Sequence, residues 1–340
     1  MIRDVLESLL GGRDLDRETM TACFTALMAG EWSEPQQAAF LVALRAKGET
    51  PAEVAAAAAV LRHFAVPVVT HRRPLVDTCG TGGDGAHTLN LSTAAALVAS
   101  ACGVAVAKHG NRSVSSRCGS ADVLEALGFP LDLEPERLGE LLDHEGFAFL
   151  FAPRLHPAMR TVMPVRRSLG LRTVFNLLGP LSNPAGVRRQ VVGVYNLAVQ
   201  PLVAGALAEL GAEHAWVVHS DDGLDELSVN APTQVTEVRG GRVERQFAVD
   251  PARLGVAAAA PGELAGGDAA ENAARIRSIL SGREASAAAL AVALNAAATL
   301  VVAGQEDDLP RALEACRTCL AEGRAEAKLD DVVRRAREAA

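Results

Sequence analysis

No run of eighteen apolar residues occurs in the 340-residue chain, so no transmembrane helix is indicated. The first residues, Met1-Ile2-Arg3-Asp4-Val5-Leu6-Glu7, carry acids where a secretory leader needs a basic segment and then an apolar one. A cytoplasmic location is therefore expected, and membrane partners are not. Cysteine is also sparse. Of six cysteines only Cys316 and Cys319 form a C-x-x-C, and no second pair or neighbouring His completes a zinc set. In a cytosolic chain such a pair is read as reduced and structural. Internal repeats are absent, as is any low-complexity tract beyond an alanine bias. With 49% hydrophobic and 22% charged residues the chain is an ordinary globular protein, with length for roughly two domains.

The more informative gaps are local. Net charge is −8, which excludes a nucleic-acid binder held by overall charge. Yet Gly85 to Ala121 contains no Asp or Glu while holding Lys108, Arg112 and Arg117. Gly146 to Ala208 is again free of acids, where the chain average gives between seven and eight, and it carries Arg154, Arg160, Arg166, Arg167, Arg172, Arg188 and Arg189. Buried elements also lack acids, but they do not collect arginines. An acidic protein that clears its acids from two windows is shaping a positive field for a small anion.

Residues 1 to about 64 read as helices. Thr50-Pro51-Ala52-Glu53 is a capping box with proline at the first helical position, ahead of an alanine-rich helix to His63, and Ser33-Glu34-Pro35-Gln36 opens another. A two-proline linker, 66–74, follows. Beyond it strands at 74–79, 104–108, 189–195 and 215–219 alternate with helices at 92–102 and 200–210. That order predicts a mainly parallel sheet with helical crossovers. Residues 232–250 read as antiparallel strands about a Gly240-Gly241 hairpin, and the tail from Ala269 as helical.

Asp77-Thr78-Cys79-Gly80-Thr81-Gly82-Gly83-Asp84-Gly85 follows a strand. Gly80, Gly82 and Gly85 match G-x-G-x-x-G, but the helix does not open at once and the next acid after the turn is Asp122, too distant for a ribose contact. The lysine of a P-loop is missing too. A nicotinamide enzyme and a P-loop enzyme are both excluded. What survives is a flexible turn leading to a helix start at Asn90-Leu91-Ser92-Thr93, whose free N–H groups favour phosphate or diphosphate. A plain loop with Ser92 as an ordinary N-cap is the alternative.

After the strand 104–107 comes Lys108-His109-Gly110-Asn111-Arg112-Ser113-Val114-Ser115-Ser116-Arg117-Cys118-Gly119-Ser120. Cations, hydroxyls and mobile backbone in one segment suit a diphosphate. A third segment, His219-Ser220-Asp221-Asp222-Gly223-Leu224-Asp225-Glu226, holds four carboxylates in six residues. Such a cluster needs water or a hard cation, and Mg²⁺ with substrate phosphates is one such solution; a solvated turn is the other.

The run from Gly80 to Gly128, with RTVMPVRRSLGLRTVFNLLGPLSNP (160–184), HSDDGLDE (219–226) and GGDAAENAARIRSIL (266–280), resembles the anthranilate phosphoribosyltransferases over nearly the whole chain. The resemblance implies an α/β fold with a small all-helical N-terminal domain (1–70, joined by helices around 165–185). It also implies a large α/β domain (71–340) with a central, mainly parallel sheet, as in the nucleoside phosphorylase/phosphoribosyltransferase fold. The activity implied is Mg²⁺-dependent transfer of 5-phosphoribosyl from its 1-diphosphate to anthranilate, with one or two ions carried with the diphosphate, in a homodimer built on the N-terminal helices.

Carried over residue by residue, Gly80, Gly83, Asp84 and Thr88 line the donor site, and Asn90, Leu91, Ser92 and Thr93 contact its phosphates and ribose. The segment Lys108, His109, Gly110, Asn111, Arg112, Ser113, Val114, Ser115 and Ser116, with Ser120, closes over the diphosphate. Lys108 and Arg112 stabilise the leaving group, and His109 assists. Gly80, Asn111, Arg166 and His156 meet anthranilate. Ser92, Asp225 and Glu226 hold the metal. Two departures stand out: Arg117-Cys118 replaces the family's Lys with Ser or Ala, and the usual Arg-Asp pair ahead of Leu294-Asn295 is missing. The alternatives are a pyrimidine nucleoside phosphorylase of the same fold, which carries a different Lys-His-Ser-type loop, and a non-catalytic nucleic-acid-binding relative. The net charge and the intact Asn111, Arg166, Asp225 and Glu226 argue against the second.

Overall fold

The computed structural model describes residues 2–113 and 117–338. Val114, Ser115 and Ser116, assigned above to the diphosphate loop, lie outside the described residues. Four helices open the chain: α1 (Ile2–Leu10), α2 (Arg17–Met28), α3 (Glu34–Lys47) and α4 (Pro51–His63). The capping box forms as expected. The Glu53 amide donates to Thr50 Oγ1 at 3.2 Å, and the Thr50 amide donates to Glu53 Oε2 at 2.8 Å. Glu53 also accepts from Lys47 Nζ (2.8 Å) and the Leu15 amide (2.8 Å), although its side chain is wholly buried. Three donors therefore replace the water this carboxylate has lost.

The rest alternates. Strand β1 (Leu75–Asp77) leads through α5 (Leu91–Ala101) to β2 (Ala105–Gly110), and α6 (Ser120–Ala126) and α7 (Pro135–Glu145) lead to β3 (Phe147–Phe151). The short helices α8 (Ala152–Leu155), α9 (Met163–Leu169) and α10 (Phe175–Leu178) then cross over to β4 (Arg189–Gly193), followed by α11 (Gln200–Glu209) and β5 (His214–Ser220). A hairpin of β6 (Thr233–Arg239) and β7 (Arg242–Val249) precedes α12 (Ala269–Leu280), α13 (Ala287–Ala303), α14 (Leu309–Ala321) and α15 (Arg324–Glu338).

One seven-stranded sheet results, in the order β3-β2-β1-β4-β5-β6-β7. Its first five strands run parallel and the hairpin adds antiparallel. Gly240 and Gly241 both take positive φ (53° and 73°), as a two-residue hairpin turn requires. Two details depart from the sequence reading. The apolar run Phe147–Phe151 is a strand that the reading did not assign. Pairing with it carries β2 past Lys108, where the reading ended that strand, through His109 and Gly110, so these two belong to a strand rather than a loop.

Alternation along the strands divides the core. Val191, Trp216 and Val218 face one cluster with α5 and α13, both buried all round; Val192, Val217 and Val238 face another. This second cluster runs without a break into the N-terminal helices, through Val165, Val174, Phe175 and Leu178. The sheet order places β1 at the point where connections reverse: β2 and β3 go to one side, β4 and β5 to the other. In parallel sheets ligands bind beyond the carboxyl ends of the strands at such a point. The glycine turn lies there.

Removing the Glu53 carboxylate would leave Lys47 buried with Asp14 as its one remaining charged partner. Glu53→Ala is expected to cost about 3–5 kcal/mol, read as a lowered denaturant midpoint at unchanged slope. A midpoint equal to wild type would refute this account of the bundle.

Candidate active site

The turn after β1 depends on the absence of side chains at two kinds of position. Gly82, Gly83 and Gly85 have φ of 62°, 83° and 77°, where an L side chain is strained. Gly80 instead allows close approach: a Cβ there would lie 3.0 Å from the Gly193 carbonyl oxygen. Gly193, at the end of β4, faces the same limit, since a Cβ would overlap the Asp225 carbonyl. The ends of β1, β4 and β5 thus meet without intervening side chains. The Thr81 amide donates to Gly193 O at 2.8 Å, and Thr81 Oγ1 accepts from the Tyr195 amide at 3.1 Å.

The first turn of α5 lies against this junction. The Ser92 amide, one of the free donors of a helix start, donates to Glu226 Oε1 at 2.9 Å. Ser92 Oγ is 3.5 Å from Lys108 Nζ, which also donates to the Thr78 carbonyl (3.2 Å) and hydroxyl (3.1 Å). Lys108, Ser92 and Glu226, distant in sequence, share one point. Lys108 is buried, and no carboxylate lies within ion-pair distance of it among the described residues. Burial lowers its pKa, against the field of Asp77.

Carboxylates gather opposite. Burial, then the neighbouring charge of Asp84, pushes Asp225 up to about 7; burial, then Asp225, pushes Glu226 up to about 8. Asp84 Oδ2 accepts weakly from the Asp225 amide (3.4 Å), so it forms a third member of the set. The remaining two acids of the 219–226 turn are held elsewhere: Asp221 accepts from Gln234 Nε2 and Asp222 from Ser228 Oγ. Asp84, Asp225 and Glu226 offer the hard oxygen type that Mg²⁺ takes, but their carboxylates do not converge as a ready-made cage: among the described residues the acid, Cys and His atoms that come that close are those of Asp77, Cys79 and His109. The Thr93 hydroxyl, buried in the first turn of α5, has no hydrogen-bond partner among the described residues. Leu91 is buried, so the backbone is what it can offer, and Asn90 joins neighbours, accepting from Asn272 Nδ2 and donating to Cys118 O. Thr88 pairs with Ala265 as an isolated bridge.

Alternation along β2 sends His109 to the other side from Lys108. Its Nδ1 is 3.0 Å from the Gly179 carbonyl, which can only accept, so Nδ1 carries the hydrogen. His109 Nε2 is then an acceptor, 3.2 Å from His156 Nε2, which must donate. That leaves His156 Nδ1 as a buried lone pair with no partner among the described residues. Burial lowers His109 to about 3 and His156 to about 4, so both rings are neutral at pH 7. In this arrangement both nitrogens of His109 are engaged by protein, and the one without a partner among the described residues belongs to His156.

Arg112 is engaged by neighbouring acids. The loop has no acids of its own, but α6 brings Asp122 and Glu125 to it, and Arg112 Nη1 donates to each at 2.8 Å. Nothing here directs that guanidinium at Ser92. Asn111 O accepts from Ser120 Oγ and the Ala121 amide, which pins the loop to α6. A Cβ on Gly110 would overlap Ser120 Oγ. The Ser113 amide donates to Asp122. Arg166, half-buried, lies 5.0 Å from the Phe175 ring centroid with no carboxylate in reach among the described residues.

The sequence reading passed over Asp77 and Asn183. Asp77 is fully buried, accepts from the His109 amide (3.1 Å) and from Asn183 Nδ2 (2.8 Å), and is raised to about 6 by burial. Together they fix the end of β2. Their signal was Asp77's place just before the glycines and Asn183's in the quoted run 160–184. Asp77, Cys79 and His109 bring ligand atoms close together, but Asp77 and His109 already bond to protein, which argues against a metal there.

Residues 3–65 match the family described as "Glycosyl transferase family, helical bundle domain", and 72–326 that described as "Glycosyl transferase family, a/b domain". The anthranilate phosphoribosyltransferase of Desulfatibacillum aliphaticivorans is 47% identical over 98% of both chains. The crystal structure of the enzyme of that name from Thermus thermophilus superposes with a TM-score of 0.93 at 47% identity, covering 98% of this chain and 99% of its own. The Saccharomyces cerevisiae enzyme, solved with PRPP and Mg, shares the fold: TM-score 0.92 at 24% identity, over 99% and 98% of the chains.

Asp225 and Glu226 bind protons more tightly folded than unfolded, where carboxylates titrate near pH 4. The folded state then holds the extra protons, so stability falls as pH rises from about 4 to about 8. Glu226→Gln should flatten that fall when thermal midpoints are measured with chelator present. Parallel curves for variant and wild type would contradict the buried acid cluster.

Proposed function

The chain belongs to the anthranilate phosphoribosyltransferase family, and on that premise we propose which of its residues carry the reaction. The enzyme transfers the 5-phosphoribosyl group of 5-phosphoribosyl 1-diphosphate to anthranilate and releases diphosphate. The C1–oxygen bond to diphosphate breaks, a C1–nitrogen bond forms, and the amine loses one proton. Positive charge develops on the ribose and negative charge on the leaving group, so the protein must position two partners and stabilise an anion. A nucleoside phosphorylase or a nucleic-acid-binding relative is not favoured, given curated relatives of one activity along the whole chain.

The observation that carries the assignment is the meeting of Lys108, Ser92 and Glu226 at one helix start. On this reading the N–H groups of α5, the Thr93 hydroxyl and the Lys108 ammonium receive the diphosphate. Asp84, Asp225 and Glu226 would hold Mg²⁺, with Ser92 beside it; bound there, the ion neutralises charge on the diphosphate. The glycine turn lets backbone approach the donor. Residues 110–113 and 117–120 border it, with Arg112 contributing once it leaves Asp122 and Glu125.

The acceptor belongs on the other side of β2. The planar fork of Arg166 matches the anthranilate carboxylate, and its lack of an acid partner leaves that fork available. His156 Nδ1 is the free acceptor for the amine hydrogen, and Asn111 and the Gly80 backbone would complete the acceptor contacts. A pKa near 4 makes His156 a positioning group rather than a proton store. Residues 1–70 with the crossing at 165–185 form the helical unit that presents this side, and residues 71–340 present the donor. We also propose a cytoplasmic homodimer through the N-terminal helices; no helix among the described residues is long and apolar enough to cross a membrane. Sedimentation as a monomer would refute the dimer.

The test is loss of anthranilate fluorescence on adding donor and Mg²⁺. Lys108→Met is expected to lower kcat by about 100-fold or more, the effect of removing one preorganised donor. Arg166→Ala should raise KM for anthranilate and leave donor affinity by calorimetry unchanged. Equal loss of both would overturn the division into two sides.

A further inference from the structure

A turn with four glycines in six residues does not hold its own shape. A Cβ at Gly82 or at Gly85 would meet nothing within 4 Å, so packing does not fix these residues. The first half is tied to β4 through Thr81. The second half is held from two sides: Asp84 Oδ2 accepts weakly from the Asp225 amide (3.4 Å), and Arg172 holds the other side. Arg172 Nη2 donates to the Gly83 carbonyl at 2.7 Å, and the same guanidinium lies 3.9 Å from the ring centroid of Tyr195, the chain's single tyrosine.

Three features set Arg172 apart from a surface arginine. No carboxylate lies within ion-pair distance of it among the described residues, whereas Arg188 and Arg189 of the same acid-poor window pair with Glu213. It comes from the 170–174 bend between α9 and α10, on the acceptor side, and reaches across to the turn after β1. And its contacts close a ring: Arg172 to Gly83, Gly83 along the chain to Thr81, Thr81 to the Tyr195 amide, and the Tyr195 ring back to Arg172. An exposed, flexible side chain gives up its freedom here for one charge-assisted bond and one stacking contact. The planar guanidinium makes both at once, face to the ring and edge to the carbonyl, whereas the compact ammonium of Lys would keep the charge without that plane.

We propose that Arg172 is a positioning residue, a strut that fixes the Gly82–Gly85 half of the turn to the acceptor-side segment and so presents it ready-formed to the donor. The proposal rests on the reading of that turn as the donor face. It also makes acceptor-side movement and donor-side shape mechanically dependent on one another.

Hydrogen exchange of the ligand-free, full-length protein tests the strut without any substrate. In Arg172→Gln, amides of residues 82–86 should exchange faster, with the thermal midpoint close to wild type. Donor KM should rise about tenfold, the worth of one charged hydrogen bond, while anthranilate KM stays within about twofold. Arg172→Lys should show a partial rise, and Tyr195→Leu combined with Arg172→Gln no more than Arg172→Gln alone, because the ring acts through the guanidinium. Unchanged exchange in Arg172→Gln would refute the strut whatever the kinetics. Faster exchange with an unaltered donor KM would refute the donor-face reading and the positioning role with it. A rise confined to anthranilate KM would make Arg172 an acceptor ligand and overturn the proposal.

Discussion

A buried ammonium and a half-buried carboxylate meet at Ser92. Glu226 takes the first free N–H of α5, and Lys108 takes the carbonyl and hydroxyl of Thr78. With Asp84 and Asp225 alongside, the ligand-free site concentrates negative charge that burial makes costly. Such an arrangement persists only where the surrounding framework does not yield. Here that framework is a sheet packed against α5 and α13, whose alanines allow the two helices to pack closely.

The same sheet separates two chemistries with one turn of the pleat. Lys108 and His109 are neighbours in sequence, yet strand geometry sends one toward the phosphate-binding helix start and the other toward Gly179 and His156. Asp77 and Asn183 hold the β2 backbone at that point, so the division does not drift. The two sides also differ in character. Toward α5 the groups are ionic and suit a leaving anion. Toward the helical unit they are neutral imidazoles and an arginine lying against an aromatic ring.

Glycine does separate jobs in this architecture. At Gly82, Gly83 and Gly85 it supplies backbone angles; at Gly80, Gly110 and Gly193 it supplies room for another strand end or side chain. The second job cannot be seen in a pattern of spacings, because the neighbour that needs the room is more than thirty residues away in two of the three cases. Gly110 is the local exception, packed on Ser120.

By itself the sequence determined what short-range chemistry writes. The capping box at Thr50, the hairpin at Gly240-Gly241, the βα alternation and the motif runs placed the fold and family, because each depends on residues close in the chain. It left the partners of Arg112 unseen, since loop composition says nothing of the acids that α6 delivers to it. It left the engagement of His109 unseen as well, because the tautomer of one imidazole is set by a carbonyl seventy residues away and by a second imidazole. Only the tertiary structure decided which of four clustered acids turn toward Asp84 and Ser92, which histidine nitrogen is free and what ties down the glycine turn. The physical reason is that pKa, tautomer and anchorage are properties of the surroundings a group is folded into, and those come from segments far along the chain.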